Sequence, residues 1–230
     1  MDGFIRWIQQ LRFENLIEML VIALSSLLCI TIHETSHGLA AYLLGDDTAK
    51  KAGRLTLNPV RHIDIMGLLM MVIAHFGWAK PVPVNMSTFH KPKIGMAITA
   101  FAGPLSNFLL MLVAGFFRVP VLFYYVQNGA RVLGHLCVFL EYTMVLSAGL
   151  AVFNLLPIPP LDGSKVAFSL LPDGMYQKLM RYERYGVILL AIVLFSGILD
   201  APLYYLRNGL LGVSDFLVSP LFEFFAVIMR

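Results

Sequence analysis

His33, Glu34 and His37 form the pattern His-Glu-x-x-His inside a long apolar run from about Leu16 to Leu44. On a helix, positions 33 and 37 are one turn apart, so both imidazoles leave the same face. That spacing lets two ring nitrogens ligate one zinc ion, and Glu34, one step round, can act as general base on a water there. The pattern is short enough to arise by chance, and a lone histidine in an apolar helix is usually a packing residue. Here two histidines and a glutamate sit in a segment whose preceding residues read VIALSSLLCITI. Ionisable groups at membrane depth are costly, which favours the metal reading.

A catalytic zinc needs a third protein ligand and one open position. The candidates are Asp162, Glu141, Asp64 and the histidines His62, His75, His90 and His135. Asp162 is favoured because it follows Pro157-Ile158-Pro159-Pro160-Leu161, where prolines end the helix. Unwound backbone at membrane depth must be buried in protein or line a wet cavity, and a rigid non-helical loop there suits a carboxylate ligand. Glu141 lies in mid-segment and reads as too deep; the four histidines read as interfacial or packing residues. Between the two stretches, Gly103-Pro104-Leu105-Ser106-Asn107 interrupts an apolar segment. It is either a kink with close helix packing or a polar lining for the site, with Asn107 its donor.

The elements that must position these residues belong to a membrane protein. The 230 residues are 58% hydrophobic and 13% charged, against roughly 25% charged in soluble domains. Neither basic runs nor basic–aromatic interleaving points to nucleic acid. Cys29 and Cys137 both lie in apolar segments without ligand-like spacing, so no disulfide framework is expected. The first apolar run lacks a small-residue cleavage site, so it does not read as a signal peptide.

We expect an all-α polytopic membrane protein of about five to six transmembrane helices with a short membrane-associated β or re-entrant segment. Residues 1–15 read as an amphipathic lead-in, and segments follow at about Leu16–Leu44, Ile94–Phe117, Val132–Leu156, Tyr185–Leu199 and Leu210–Met229, the last less securely spanning. Met66–Phe76 is too short to span and reads as re-entrant or interfacial. In Lys80–Asn85, Pro81 and Pro83 share a parity. In an extended strand both remove donors from one edge, leaving the other free to pair. The whole, residues 1–230, reads as one membrane domain with a catalytic core at about 16–170 and C-terminal helices at about 185–230. If the five segments alternate, the motif's side gathers seven Lys/Arg from residues 46–93, four from 164–184 and one at the C-terminus. Those twelve of 17 make that side cytoplasmic.

His-Glu-Thr-Ser-His in the first segment, Asn-Leu-Leu-Pro-Ile-Pro-Pro-Leu-Asp-Gly at the end of a later one, and Gly-Pro-Leu-Ser-Asn between them resemble the site-2 protease family of intramembrane zinc metalloproteases. Gly53–Pro59 followed by Gly77–Asn85 is similar to its compact prokaryotic branch, which lacks a PDZ domain. The resemblance spans most of residues 31–170. It implies one zinc ion on His33, His37 and Asp162, Glu34 as catalytic base, and Asn154 as an active-site polar group. It also implies single-span membrane-protein substrates, a lipid bilayer around the chain, a prokaryotic plasma membrane, and peptide hydrolysis near the cytoplasmic face. Pro81, Val82 and Pro83 would then meet the unwound substrate by strand addition. Two rivals remain: a membrane metal-binding or transport protein, which needs no general base, and a catalytically idle relative, against which the intact Glu34 argues.

Overall fold

The computed structural model describes residues 13–67 and 79–228. In chain order its helices are α1 (Phe13–Leu43), α2 (Thr48–Lys51), α3 (Pro92–Asn128), α4 (Arg131–Asn154), α5 (Asp162–Ser169), α6 (Asp173–Tyr182), α7 (Gly186–Phe195) and α8 (Asp200–Ile228). Among the described residues four helices, α1, α3, α4 and α8, are long and apolar enough to cross a membrane, rather than five to six. The expected segment at Tyr185–Leu199 accounts for part of the difference. Its helix α7 has only ten residues, about 15 Å against a hydrocarbon core of about 30 Å, and it stops at Gly197, whose φ is +69°. The re-entrant piece expected at Met66–Phe76 and most of the amphipathic lead-in lie outside the described residues.

Two four-residue periodicities build the bundle. On α1, Ser25, Cys29, His33, His37 and Ala41 are all buried. On α3, the buried row is Thr99, Gly103, Asn107, Met111, Gly115 and Val119. Rows at i, i+4 are the ridges by which helices interlock, and small or polar residues let membrane helices approach closely. The histidines are therefore members of a packing stripe. The large apolar side chains Leu20, Leu24, Leu39, Ile98, Leu105 and Leu109 point outward, as lipid contact requires.

Pairings across these stripes set directions. The Ser25 hydroxyl donates to the Phe139 carbonyl and Cys29 meets Ser147, so α1 and α4 run parallel. His33 meets Asn107 while His37 meets Thr99, so α3 runs antiparallel to α1. Helix α8 packs Ser214 at Gly115, and Phe222 and Phe225 at Phe123, so it runs parallel to α3. This corrects the alternation drawn from five segments. The α8 end at Ile228 lies on the side opposite the motif, and Arg207, near its start, lies toward the motif. Because one arginine replaces another, the basic asymmetry survives.

No β-pairing occurs among the described residues. Residues 79–85 form an irregular strap with one backbone bond to the preceding loop, the Lys80 N–H to the His62 carbonyl at 2.9 Å. Its other bonded backbone groups meet side chains, and Pro81 and Pro83 have no N–H to give.

Candidate metal centre

The stripe on α1 delivers His33 and His37 to one cavity, and α5 delivers Asp162. The sequence reading put Asp162 in a rigid loop; the structure makes it the first residue of α5, immediately after the proline-rich stretch. Gly163 explains how the helix start reaches the histidines. A Cβ there would fall 2.2 Å from the Leu155 carbonyl oxygen, so only glycine lets α5 begin against the end of α4. The Ser164 hydroxyl donates to the Leu161 carbonyl and ties down the same turn.

His33 Nε2 lies 3.2 Å and His37 Nε2 3.1 Å from the same oxygen, Asp162 Oδ2. Burial pushes the Asp162 carboxyl up, but the hydrogen bonds and charges of the two imidazoles outweigh it and hold the group well below the usual carboxylate range. Glu34 lines the same cavity, of about 360 Å³, with Val82, Asn154 and Lys165. One Glu34 carboxylate oxygen, Oε2, accepts the Val82 N–H at 3.0 Å.

Three observations test whether this trio fits a metal ion. Two ligands about 2.1 Å from a tetrahedral ion are about 3.4 Å apart, close to the separations seen. Second, both outer ring nitrogens are engaged, as ligating histidines require. His37 Nδ1 donates to the Thr99 carbonyl at 2.7 Å, which leaves Nε2 as an acceptor for metal. His33 Nδ1 lies 3.1 Å from the Asn107 amide nitrogen, while Asn107 Oδ1 is buried without a partner. Turning that amide over gives the orphaned oxygen the His33 Nδ1–H and frees His33 Nε2 for metal; amide orientation is assigned from such networks. Third, a Cβ on Gly103 would lie 2.4 Å from His37 Cε1 and 2.7 Å from His33 Cε1. The glycine of the Gly-Pro notch thus makes the space the imidazoles occupy. His33, His37 and Asp162 are the metal-capable cluster found among the described residues.

Other sequence candidates lie elsewhere. His62 Nε2 donates to the Thr56 carbonyl, Asp64 accepts the Gly67 N–H, and Glu141 pairs with Arg118 across α3 and α4. His75 lies outside the described residues. Asn154 lines the cavity and donates to the Leu150 carbonyl. Pro81 and Val82 line it too, while Pro83 does not. Asn107, expected as a substrate-side donor, is wholly buried at the Nδ1 edge of His33, the edge away from Asp162, where it can orient the ring but not touch a peptide. Sequence reasoning missed Thr99, which acts through a backbone carbonyl and leaves no side-chain signal. It also missed Lys165, whose helical position three residues after Asp162 turns it to the cavity.

The model of peptidase family M50 matches residues 120–198, a stretch that contains Asp162. The chain is 38% identical over 195 residues to "Putative zinc metalloprotease YwhC" of Bacillus subtilis, covering 85% of this chain and 88% of that protein. It is 30% identical over 206 residues to "Putative zinc metalloprotease Rip2" of Mycolicibacterium smegmatis, covering 84% and 74% respectively. The Rip2 protein of Mycobacterium tuberculosis H37Rv is 27% identical over 222 residues, covering 92% and 81%. No solved structure matches the chain. With that likeness spread over most of its length and of its relatives' lengths, the chain belongs to peptidase family M50, the site-2 proteases, and is a zinc metalloprotease.

Proposed function

We propose that this protease cleaves peptide bonds in or near transmembrane segments of single-span membrane proteins, with its zinc held by His33, His37 and Asp162 and with Glu34 as general base. The observation that carries the reading is the convergence of His33 Nε2 and His37 Nε2 on one Asp162 oxygen, beside Glu34, within a helix apolar enough to span the bilayer.

Zinc bound there supplies Lewis-acid polarisation of the scissile carbonyl and lowers the pKa of water toward ~7. Glu34 takes the proton of the attacking water and passes it to the leaving nitrogen. The Asn154 side-chain amide, which uses one N–H on Leu150, has a second to offer the developing oxyanion. A helical substrate hides its carbonyls in its own hydrogen bonds, so it must unwind before reaction. Residues 80–85 receive the unwound stretch as an edge strand, with Val82 at the centre. The motif lies six to ten residues from the end of α1, about 9–15 Å along the axis, close enough to the interface for water to enter. The basic loops on that side support a cytoplasmic orientation in a bacterial plasma membrane. Residues 1–230 act as one protease domain whose core runs from about 16 to 170.

Glu34→Gln tests this in purified, zinc-loaded protein. Zinc stoichiometry stays at one while cleavage of a fluorescent single-span peptide falls at least 10²–10⁴-fold, the usual worth of a general base. Retained cleavage rejects the assignment, and a variant that still moved zinc across vesicles would favour the transport reading.

A further inference from the structure

Two charged side chains outside the metal centre are deeply buried. Asp46, just past α1, is 0% exposed, and Arg54, just past α2, is 7% exposed. Burying a charge costs several kcal/mol unless its hydrogen-bonding groups are satisfied. Among the described residues neither makes an ion pair. Asp46 accepts two backbone N–H groups and the Thr48 hydroxyl, and Arg54 gives its Nη groups to backbone carbonyls while its Nε has no partner.

Their partners follow one plan. Asp46 Oδ1 accepts the N–H of Thr48 in its own loop, while Oδ2 accepts the N–H of Asn85 at 2.6 Å, 39 residues away. Arg54 Nη1 donates to the Arg61 carbonyl of its own loop, while Nη2 donates to the carbonyls of Lys80 and Pro81. Each charge therefore has one arm on the 44–67 loop and one on the strap, at opposite ends of it. A carboxylate receives an N–H and a guanidinium supplies N–H groups to carbonyls, which is what a neighbouring strand would do. By parity Pro81 and Asn85 turn to this clasp, and Val82 sends its N–H to Glu34. Lys80, of Val82's parity, is also drawn to the loop, its N–H donating to the His62 carbonyl and its carbonyl accepting from Arg54, so the edge left open begins at Val82. The Val82 side chain packs at Gly38, one residue after the second histidine; a Cβ on that glycine would meet Val82 Cγ1 at 3.2 Å.

We infer that Asp46 and Arg54 are positioning residues that stand in for a missing strand, holding residues 80–85 so that the edge at Val82 and Val84 faces the cavity at the height of Glu34. The inference rests on the reading of that edge as the substrate's docking strand. It makes the clasp a determinant of substrate capture and not of chemistry.

The test compares Asp46→Asn, Arg54→Lys and Val82→Pro in the full-length, zinc-loaded protein in detergent. The probe is a fluorescent single-span peptide with an Asn-Pro pair in its helix. Asp46→Asn loses the charge; Arg54→Lys keeps it but cannot reach three carbonyls at once. Charge-assisted hydrogen bonds of this kind predict KM raised roughly ten- to a hundredfold in all three variants. Zinc content stays near the parent's in all three and kcat does so in the two clasp variants, while Val82→Pro, which also removes the N–H that Glu34 accepts, is read by KM alone. Amide hydrogen exchange at Asn85 quickens in Asp46→Asn. If Val82→Pro raises KM while the clasp variants do not, the clasp is overturned and the docking edge stands. If none raises KM, both fall. If the clasp variants lose zinc or kcat instead, Asp46 and Arg54 merely support the motif helix and the inference is wrong.

Discussion

The two walls of the cavity are built by different physics. One wall, α1 with α3 and α5, is set by side chains in register: i, i+4 rows that can interlock in few ways, with glycines 103 and 163 removing the atoms that would keep the parts apart. The other wall, residues 79–85, has no regular structure. Its place is set by backbone groups bonded to the side chains of Arg54, Asp46 and Glu34 and to the His62 carbonyl. A packed helix row moves only as a unit, whereas a strap held by a few single hydrogen bonds can shift without disturbing the row. On the proposed reading, zinc chemistry and peptide capture are separable by mutation, and substitutions on each wall break or sharpen that separation.

The largest effect belongs to Gly103→Ala. The added methyl would overlap both imidazole rings, 2.4 Å from His37 Cε1, and neither ring can retreat, because its other nitrogen is bonded to α3. We expect cleavage lost along with zinc affinity, and thermal stability reduced by about 1–3 kcal/mol, the usual cost of overpacking. Chelator competition measures the first and thermal unfolding the second; normal zinc affinity would show the helical wall to be softer than argued. Asn107→Leu comes next. It fills similar space but leaves His33 Nδ1 without a partner, so zinc affinity should fall roughly 10–100-fold, as for other outer-shell orienters. An unchanged affinity would remove Asn107 from that role.

Much of this wall was legible in the sequence, because metal ligation and helix packing both leave periodic marks. His33 and His37 are four apart, and Ser25, Cys29 and Ala41 extend the same row. Asp162 was found through the prolines before it, although they end α4 and α5 restarts at Asp162 itself. Asn107 was noticed but misplaced, since sequence cannot tell which edge of a ring a neighbour meets. The strap was harder. The parity of Pro81 and Pro83 suggested a one-sided strand, and the described residues form an irregular strap there instead. Asp46 and Arg54 read as ordinary loop charges, their burial arising from contacts 39 and 26 residues away. The run at Tyr185–Leu199 was apolar enough to suggest a crossing, and only its interruption at Gly197 shows that it is too short.

On the strap's side the effects are smaller. Gly38→Ala places a methyl 3.2 Å from Val82 Cγ1, tight contact with the end of a movable side chain. KM should rise a few-fold with zinc affinity unchanged, the reverse of Gly103→Ala; equal losses from both glycines would mean the walls are coupled.

The smallest effect is a pH dependence confined to acid. Burial pushes the Asp46 carboxyl up, but hydrogen bonds from Thr48 and from the Asn85 N–H, with the nearby Lys51 charge, outweigh it and hold the group below its ordinary value. A carboxylate whose folded pKa is depressed contributes stability that is fully present above its unfolded value, near 4, and lost as pH falls through the folded one. The clasp should therefore be intact from neutrality down to about pH 5, and Asn85 exchange, corrected for intrinsic rate, should quicken only below about pH 4. In Asp46→Asn that acid step should vanish, because no proton is left to bind. A step between pH 5 and 7 in the parent would mean that another group holds the strap, and the two walls would then share a titrating residue instead of standing apart.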